Sequence, residues 1–184
     1  MVKEMRADVK RAIEKFQIKT FGNNKNIEKF EKVLNSDEEV LYLSPTNIIV
    51  SSVNTGKKET LPGVCALTNQ RLVFQYKILF NTRIESVGLD KIDSVDSSST
   101  GLKGGHVRIH TITKTYDILV SYKDKIVQEI QNIFENTIYR YKKYDDNSRT
   151  NIVETIKKLS ELKESGVLSE KEFEQKKKEL LSKI

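Results

Sequence analysis

Gly63-Val64-Cys65-Ala66-Leu67-Thr68-Asn69-Gln70-Arg71-Leu72-Val73-Phe74-Gln75-Tyr76 decides the fold, because two apolar, β-prone runs meet there across a short polar break. Val, Phe and Tyr favour the pleated, half-buried surface of a strand, and two such runs joined by a few polar residues read as a β-hairpin. Further short runs rich in Val, Ile, Tyr and Thr flank it, and stretches with helical periodicity lie beyond those. The expectation is a β-core with helices outside it.

Toward the N-terminus, Glu39-Val40-Leu41-Tyr42-Leu43 and Asn47 to Val53 read as one long strand broken or bent at Ser44-Pro45, since proline cannot donate to a sheet ladder. A polar loop, residues 54–60, joins it to the hairpin. Toward the C-terminus, Ile78 to Val87 holds a turn and a strand, and Leu89 to Val95 continues the β pattern up to Ser97-Ser98-Ser99-Thr100-Gly101. Val107 to Ile112 and Thr115 to Val120 then alternate as a half-buried antiparallel pair. The total is about seven short strands, the pattern of an antiparallel sandwich or barrel.

Helices bracket this core. Val2, Met5, Val9, Ile13 and Phe16 recur at intervals of three and four and predict an amphipathic helix through about residue 19, with Lys and Arg along its other face. Phe21-Gly22-Asn23-Asn24 ends it, and Ile27, Phe30, Val33 and Leu34 mark a second helix. After the last strand, Ile126, Val127, Ile130, Ile133, Phe134 and Ile138 trace a third stripe, placed to plug one end of a barrel. Residues 143–150 lack an apolar period and read as a linker. In the tail, Ile152, Ile156, Leu159 and Leu162 form one stripe, and Phe173, Leu180, Leu181 and Ile184 another. Gly166 supplies a stop between them, and Ser169 with Glu172 makes a capping box. So small a hairpin cannot build its own core, and self-association is the simplest way to cover its stripes.

The chain has 184 residues, 37% hydrophobic and 32% charged, enough for one domain of ordinary size plus an appendage. No apolar run is long enough to cross a bilayer, and the first residues lack the apolar core of a secretory signal, so the expected compartment is the cytoplasm. The single cysteine, Cys65, reads as a small buried hydrophobe. The net charge of +6 resides mostly in the N-terminal helices, and without a strand face that interleaves basic and aromatic residues, nucleic acid is not an expected partner.

Three blocks carry a family resemblance: Glu38 to Tyr42, Gly63 to Phe74 with its Leu67-Thr68-Asn69-Gln70-Arg71-Leu72 centre, and Ile84 to Ile92. In this order they resemble a bacterial pleckstrin-homology (PH) domain of the YokE-like kind. Leu159 to Phe173, continuing through Lys176 and Leu180-Leu181, resembles the short C-terminal domain called SHOCT. The resemblance implies an α+β architecture: a seven-stranded antiparallel barrel capped by a helix, with N-terminal helices and a C-terminal helical hairpin that mediates oligomerisation. The segments are 1–36 (N-terminal helices), 37–142 (PH-like domain), 143–150 (linker) and 151–184 (SHOCT-like hairpin).

No catalytic grouping stands out, and neither a cofactor nor a metal is expected. His106 and His110 would share a strand face with Arg108, but four residues at about 3.3 Å each set them roughly 13 Å apart, too far for one ion. Residues 101–105 read as a hairpin loop needing positive φ, and Arg71 as a turn-anchoring hydrogen bonder. PH domains often bind anionic lipid near the loop joining the first two strands. Here that loop offers Lys57 and Lys58, with Lys103 in another loop as a third charge. Two readings follow. In the first, the barrel binds a protein or peptide and the tail assembles chains through Ile152, Ile156, Leu159, Leu162, Phe173, Leu180 and Leu181. In the second, Lys57, Lys58, Lys103 and the basic N-terminal helix attach the protein to an anionic membrane, peripheral at its inner face.

Overall fold

The computed structural model describes residues 5–78, 81–100, 104–121 and 123–182. The chain divides into two compact units, Met1–Tyr141 and Lys142–Ile184.

The first unit holds helices α1 (Ala7–Lys15) and α2 (Asn24–Glu31), then strands β1 (Val40–Ser52), β2 (Lys58–Thr68), β3 (Arg71–Ile78) and β4 (Asn81–Gly88). A single 3-10 turn (Leu89–Lys91) leads to β5 (Ile92–Thr100), β6 (Gly104–Thr111) and β7 (Lys114–Ser121). All seven strands join one antiparallel sheet in the order β4-β3-β2-β1-β7-β6-β5. Helix α3 (Asp124–Glu164) follows, and α4 (Glu170–Leu181) completes the second unit.

Val64 to Thr68 of β2 and Leu72 to Phe74 of β3 are buried on both faces. Cys65, Leu67, Leu72 and Phe74 point into the barrel, whereas Val64, Ala66 and Val73 form a second cluster with Val9, Ala12, Ile27, Phe30 and Leu34 of the N-terminal helices. A strand covered on both sides reads as a continuous apolar run, which is why Gly63 to Tyr76 does not alternate. The N-terminal helices therefore lie against the outer face of the sheet, with their apolar stripe spent there. Phe16, just beyond α1, reaches the inner core and meets Tyr42 edge-on at 5.5 Å, and Phe134 of α3 meets the same ring from its own side at 5.5 Å. The α3 stripe Ile126, Val127, Ile130, Phe134 and Ile138 is buried.

Three details differ from the expectations. α1 stops at Lys15, because Gln17 takes a left-handed φ of 52° there, and Gly22, at φ 76°, serves the turn into α2 instead. β1 runs unbroken through Pro45. Residues 143–150 are helical, not an irregular linker: α3 contains no Gly or Pro, extending a formed helix costs little, and an Asp145–Arg149 ion pair at 3.1 Å spans one turn.

In the second unit, Gly166 (φ 75°) ends α3 and Ser169 caps α4. The capping box is complete: Ser169 Oγ accepts from the Glu172 N–H, and the Glu172 carboxylate accepts from the Ser169 N–H at 3.0 Å.

Candidate functional site

Lys57 lies at the end of the β1–β2 loop, in a cleft of about 270 Å³ shared with Glu59, Arg83, Glu85 and Lys114. Cross-strand register brings these charges together, and each cation has a carboxylate. Lys57 pairs with Glu59 at 2.7 Å, Arg83 lies 3.7 Å from Glu85, and Lys114 also pairs with Glu85. Tyr116 donates to the same Glu85 oxygen at 2.7 Å. Burial raises the Glu85 pKa, but the hydrogen bonds from Lys114 and Tyr116 outweigh it and hold the carboxyl below its usual range. Glu59 and anionic Glu85 thus offset two of the three positive charges in this cleft, Arg83 and Lys114 sharing Glu85. Lys58 is exposed nearby, and Lys103 lies outside the described residues.

His106, Arg108 and His110 do share a face of β6, and each finds an acid across the sheet. His106 Nδ1 lies 2.7 Å from Asp117, while Asp96 receives both Arg108 Nε at 2.7 Å and His110 Nε2 at 2.6 Å. Burial raises the Asp96 pKa, and its hydrogen bonds from Arg108 and His110 bring it below the usual carboxylate range. These are cross-strand polar contacts of a half-buried face, with Arg108–Asp96 an ion pair. The histidine partners were not legible in the sequence, because strand register alone selects them. Cys65 is buried among apolar side chains, and burial pushes its thiol up to about 12, far from a reactive thiolate.

Arg71 anchors the turn between β2 and β3 and also joins it to the chain before β1. Its guanidinium binds Glu38 through Nε at 2.7 Å and Nη2 at 2.8 Å, and donates to Ser86 Oγ at 2.8 Å and the Val33 carbonyl at 3.2 Å. Residues 101–103 of the expected glycine loop fall outside the described residues. Gly104 has φ 80°, and Gly105 is a close approach, since a Cβ there would lie 2.1 Å from Val127 Cγ2.

Sequence reading missed two further clefts, of about 360 and 320 Å³, that share Pro45 and Thr46. The signal was present in the two prolines. Pro45 pairs with β2 but lies before the point, Ile48, where β7 pairing begins, and Pro62 pairs with β1 but lies before Gly63, where β3 pairing begins. Each proline therefore sits where its strand has a partner on one side only, the place a residue without an N–H is tolerated.

In the tail, Phe173 is buried between the ammonium groups of Lys163 and Lys177, which stand 4.9 and 5.6 Å from its ring. Ile152, Ile156, Leu159 and Leu180 are half-buried, and Leu162 and Leu181 are exposed.

Residues 34–136 match the bacterial PH domain family. The chain belongs to that family. Residues 154–181 match the short C-terminal domain, SHOCT. Among solved structures, this PH protein is similar to a duf1696 family protein with a pleckstrin-homology domain from Shewanella loihica, at 13% identity and a TM-score of 0.43, over 62% of this chain and 92% of that one. It is also similar to a pleckstrin homology domain from Shewanella amazonensis, at 14% identity and a TM-score of 0.40, over 63% and 97%. No curated protein matches it. Among the described residues, no helix of the PH protein is long and apolar enough to cross a membrane.

Proposed function

We propose that this PH protein is a non-catalytic binding and assembly module, in which the barrel engages a protein or peptide and the SHOCT hairpin joins chains. The observation that carries the reading is the hairpin's own poverty of burial. Among its described apolar side chains only Phe173 is buried, and Ile156, Leu159, Leu162, Leu180 and Leu181 keep solvent-facing surface. Such a stripe is stabilised by association, at about 25 cal/mol per Å² of apolar area covered.

Light scattering coupled to size-exclusion chromatography tests it on the full chain. The expected mass is a multiple of 21.2 kDa, falling to the single-chain value when Leu159 and Leu180 are both changed to Asp. A single-chain mass for the unaltered protein at its highest soluble concentration sinks the assembly half of the proposal.

The membrane alternative has lost two supports. Lys57 is neutralised by Glu59, and the apolar face of the basic N-terminal helix is covered by the sheet. Sedimentation with anionic vesicles at low salt is expected to leave the protein in the supernatant. Pelleting that disappears in a Lys57→Glu, Lys58→Glu variant would restore the alternative.

A further inference from the structure

The sheet ends on β4 at one side and on β5 at the other, and the two edges are finished differently. β5 shifts register with β6 between Ile92 and Ser94, and its Ser97 and Ser99 hydroxyls are bonded to Gln131 and Asp124 of α3. A bulge and a covering helix keep an edge strand from recruiting a further strand. β4 has neither. Asn81 to Gly88 pairs with β3 residue for residue without a register shift, contains no proline, and is exposed from Asn81 to Ile84, with Ile84 at 51%. Alternate residues of such a strand direct both N–H and C=O away from the sheet, toward whatever strand comes next.

Two side chains select that strand. Arg83 and Glu85 lie two apart on the same face of β4, and Arg83 Nη2 stops 3.7 Å from Glu85 Oε2. Among the described residues the Arg83 guanidinium makes no hydrogen bond and Oε2 accepts none, while Lys114 and Tyr116 both donate to Oε1. Each group is left short of the hydrogen bond the other could supply. Side chains at i and i+2 stand about 6.6 Å apart along a strand, whereas directly opposed residues of an antiparallel pair bring their Cβ atoms to about 4.5–5.5 Å. An antiparallel copy of β4 centred on Ile84 sets Arg83 of each copy opposite Glu85 of the other, Thr82 opposite Ser86, and Ile84 against Ile84. A lone lysine on an edge repels its own copy, but Arg83-Ile84-Glu85 is complementary to itself.

We propose that β4 pairs antiparallel with β4 of a second copy about a two-fold axis at Ile84, joining the two sheets into one. This contact lies in the barrel unit, goes beyond the tail assembly proposed above and does not depend on it. It covers the one exposed apolar side chain of the strand on both copies. A pair of eight-residue strands is a small interface, so the dimer is weak by itself.

Oxidative cross-linking at high protein concentration tests it, in the full chain carrying Leu159→Asp and Leu180→Asp so that the tail stripe contributes nothing. A residue on the two-fold axis opposes itself, and opposed Cα atoms at about 4.5–5.5 Å are within disulfide reach. Ile84→Cys is therefore expected to give a covalent dimer about tenfold faster or more than Thr82→Cys, whose own counterpart lies about 13 Å away along the strand. Both positions are exposed, and the buried Cys65 does not compete. Adding Arg83→Glu, which sets acid against acid, should slow the Ile84→Cys dimer about tenfold or more. The comparison of the two cysteine variants holds whatever Arg83→Glu does to the fold, because neither position belongs to the ion-paired cleft. Equal rates for Ile84→Cys and Thr82→Cys mean random encounter of exposed thiols and overturn the proposal. They leave the tail assembly, read from the mass of the chain with its tail unaltered, where it stands. If Ile84→Cys forms no dimer yet captures an added cysteine-bearing peptide of alternating Val and Thr, the edge serves a foreign strand and the proposal likewise falls.

Discussion

The barrel unit and the tail hairpin both carry apolar residues at helical spacing, yet they use them oppositely. In the barrel unit, apolar stripes from α1, α2, α3 and both faces of β2 and β3 meet one another, so Tyr42, Leu67, Phe74 and Phe134 are fully buried. In the hairpin, two stripes close over a single ring, Phe173. One unit completes its interior; the other depends on something to lie against. A periodic stripe in a sequence therefore announces a buried face without saying whose surface buries it.

Removing a ring from each unit gives the largest contrast. Phe134→Ala is expected to lower stability by about 3–5 kcal/mol through the cavity it leaves, measured by urea unfolding of the barrel. Phe173→Ala, on the edge of a half-exposed hairpin, should cost about 1 kcal/mol and show only as faster amide exchange in α4. Equal losses would erase the distinction drawn here.

Two glycines sharpen it at the next level. At Gly105 an added methyl would meet Val127 and the Ser121 carbonyl, so Gly105→Ala should cost about 1–3 kcal/mol by overpacking. At Gly166 an added methyl meets nothing, and the penalty of Gly166→Ala is only that of the positive φ, about 1 kcal/mol. Thermal unfolding followed by circular dichroism ranks the pair.

Acid is expected to weaken the barrel through Glu38. Hydrogen bonds from Arg71 hold the pKa of the buried Glu38 below its ordinary range despite the opposing effect of burial. A lowered folded pKa means that the pair's full contribution is present above the unfolded value of about 4.3, and is lost as pH falls through the lower folded one. Arg71→Ala should flatten that part of the stability-versus-pH curve. The smallest effect belongs to the hairpin cap: Ser169→Ala should cost about 1 kcal/mol of local helix stability, visible in the exchange of the first α4 amides.

Much of the fold was legible because local chemistry dictates it. The hairpin at Gly63 to Tyr76 has β-prone residues on both sides of a polar turn, and Arg71 sits where a turn anchor is needed. The Ser169–Glu172 box and the Gly166 stop are helix-end chemistry that a few residues settle among themselves. Other features were hidden. The helical state of residues 143–150 carries no apolar signal, since it is propagated from the helix on either side. The ion-paired cleft around Glu85 was invisible because its charges come from the β1–β2 loop, β2, β4 and β7. The proline clefts were invisible for a related reason: a proline reveals a missing donor, and only strand pairing shows which side of the strand was left open.

The sequence by itself determined the strands, the turns and the helix stop and start at Gly166 and Ser169, together with the existence of apolar faces on both terminal segments, because these follow from propensity and periodicity within a few residues. The tertiary structure alone decided that the N-terminal stripe is consumed by the outer face of the sheet and the tail stripe largely is not. It also decided that Lys57 pairs with Glu59 and that Arg83 and Lys114 share Glu85, while among the described residues Lys19, Lys29, Lys77 and Lys123 pair with no acid. Burial and charge balance are sums over neighbours, and register and packing choose the neighbours.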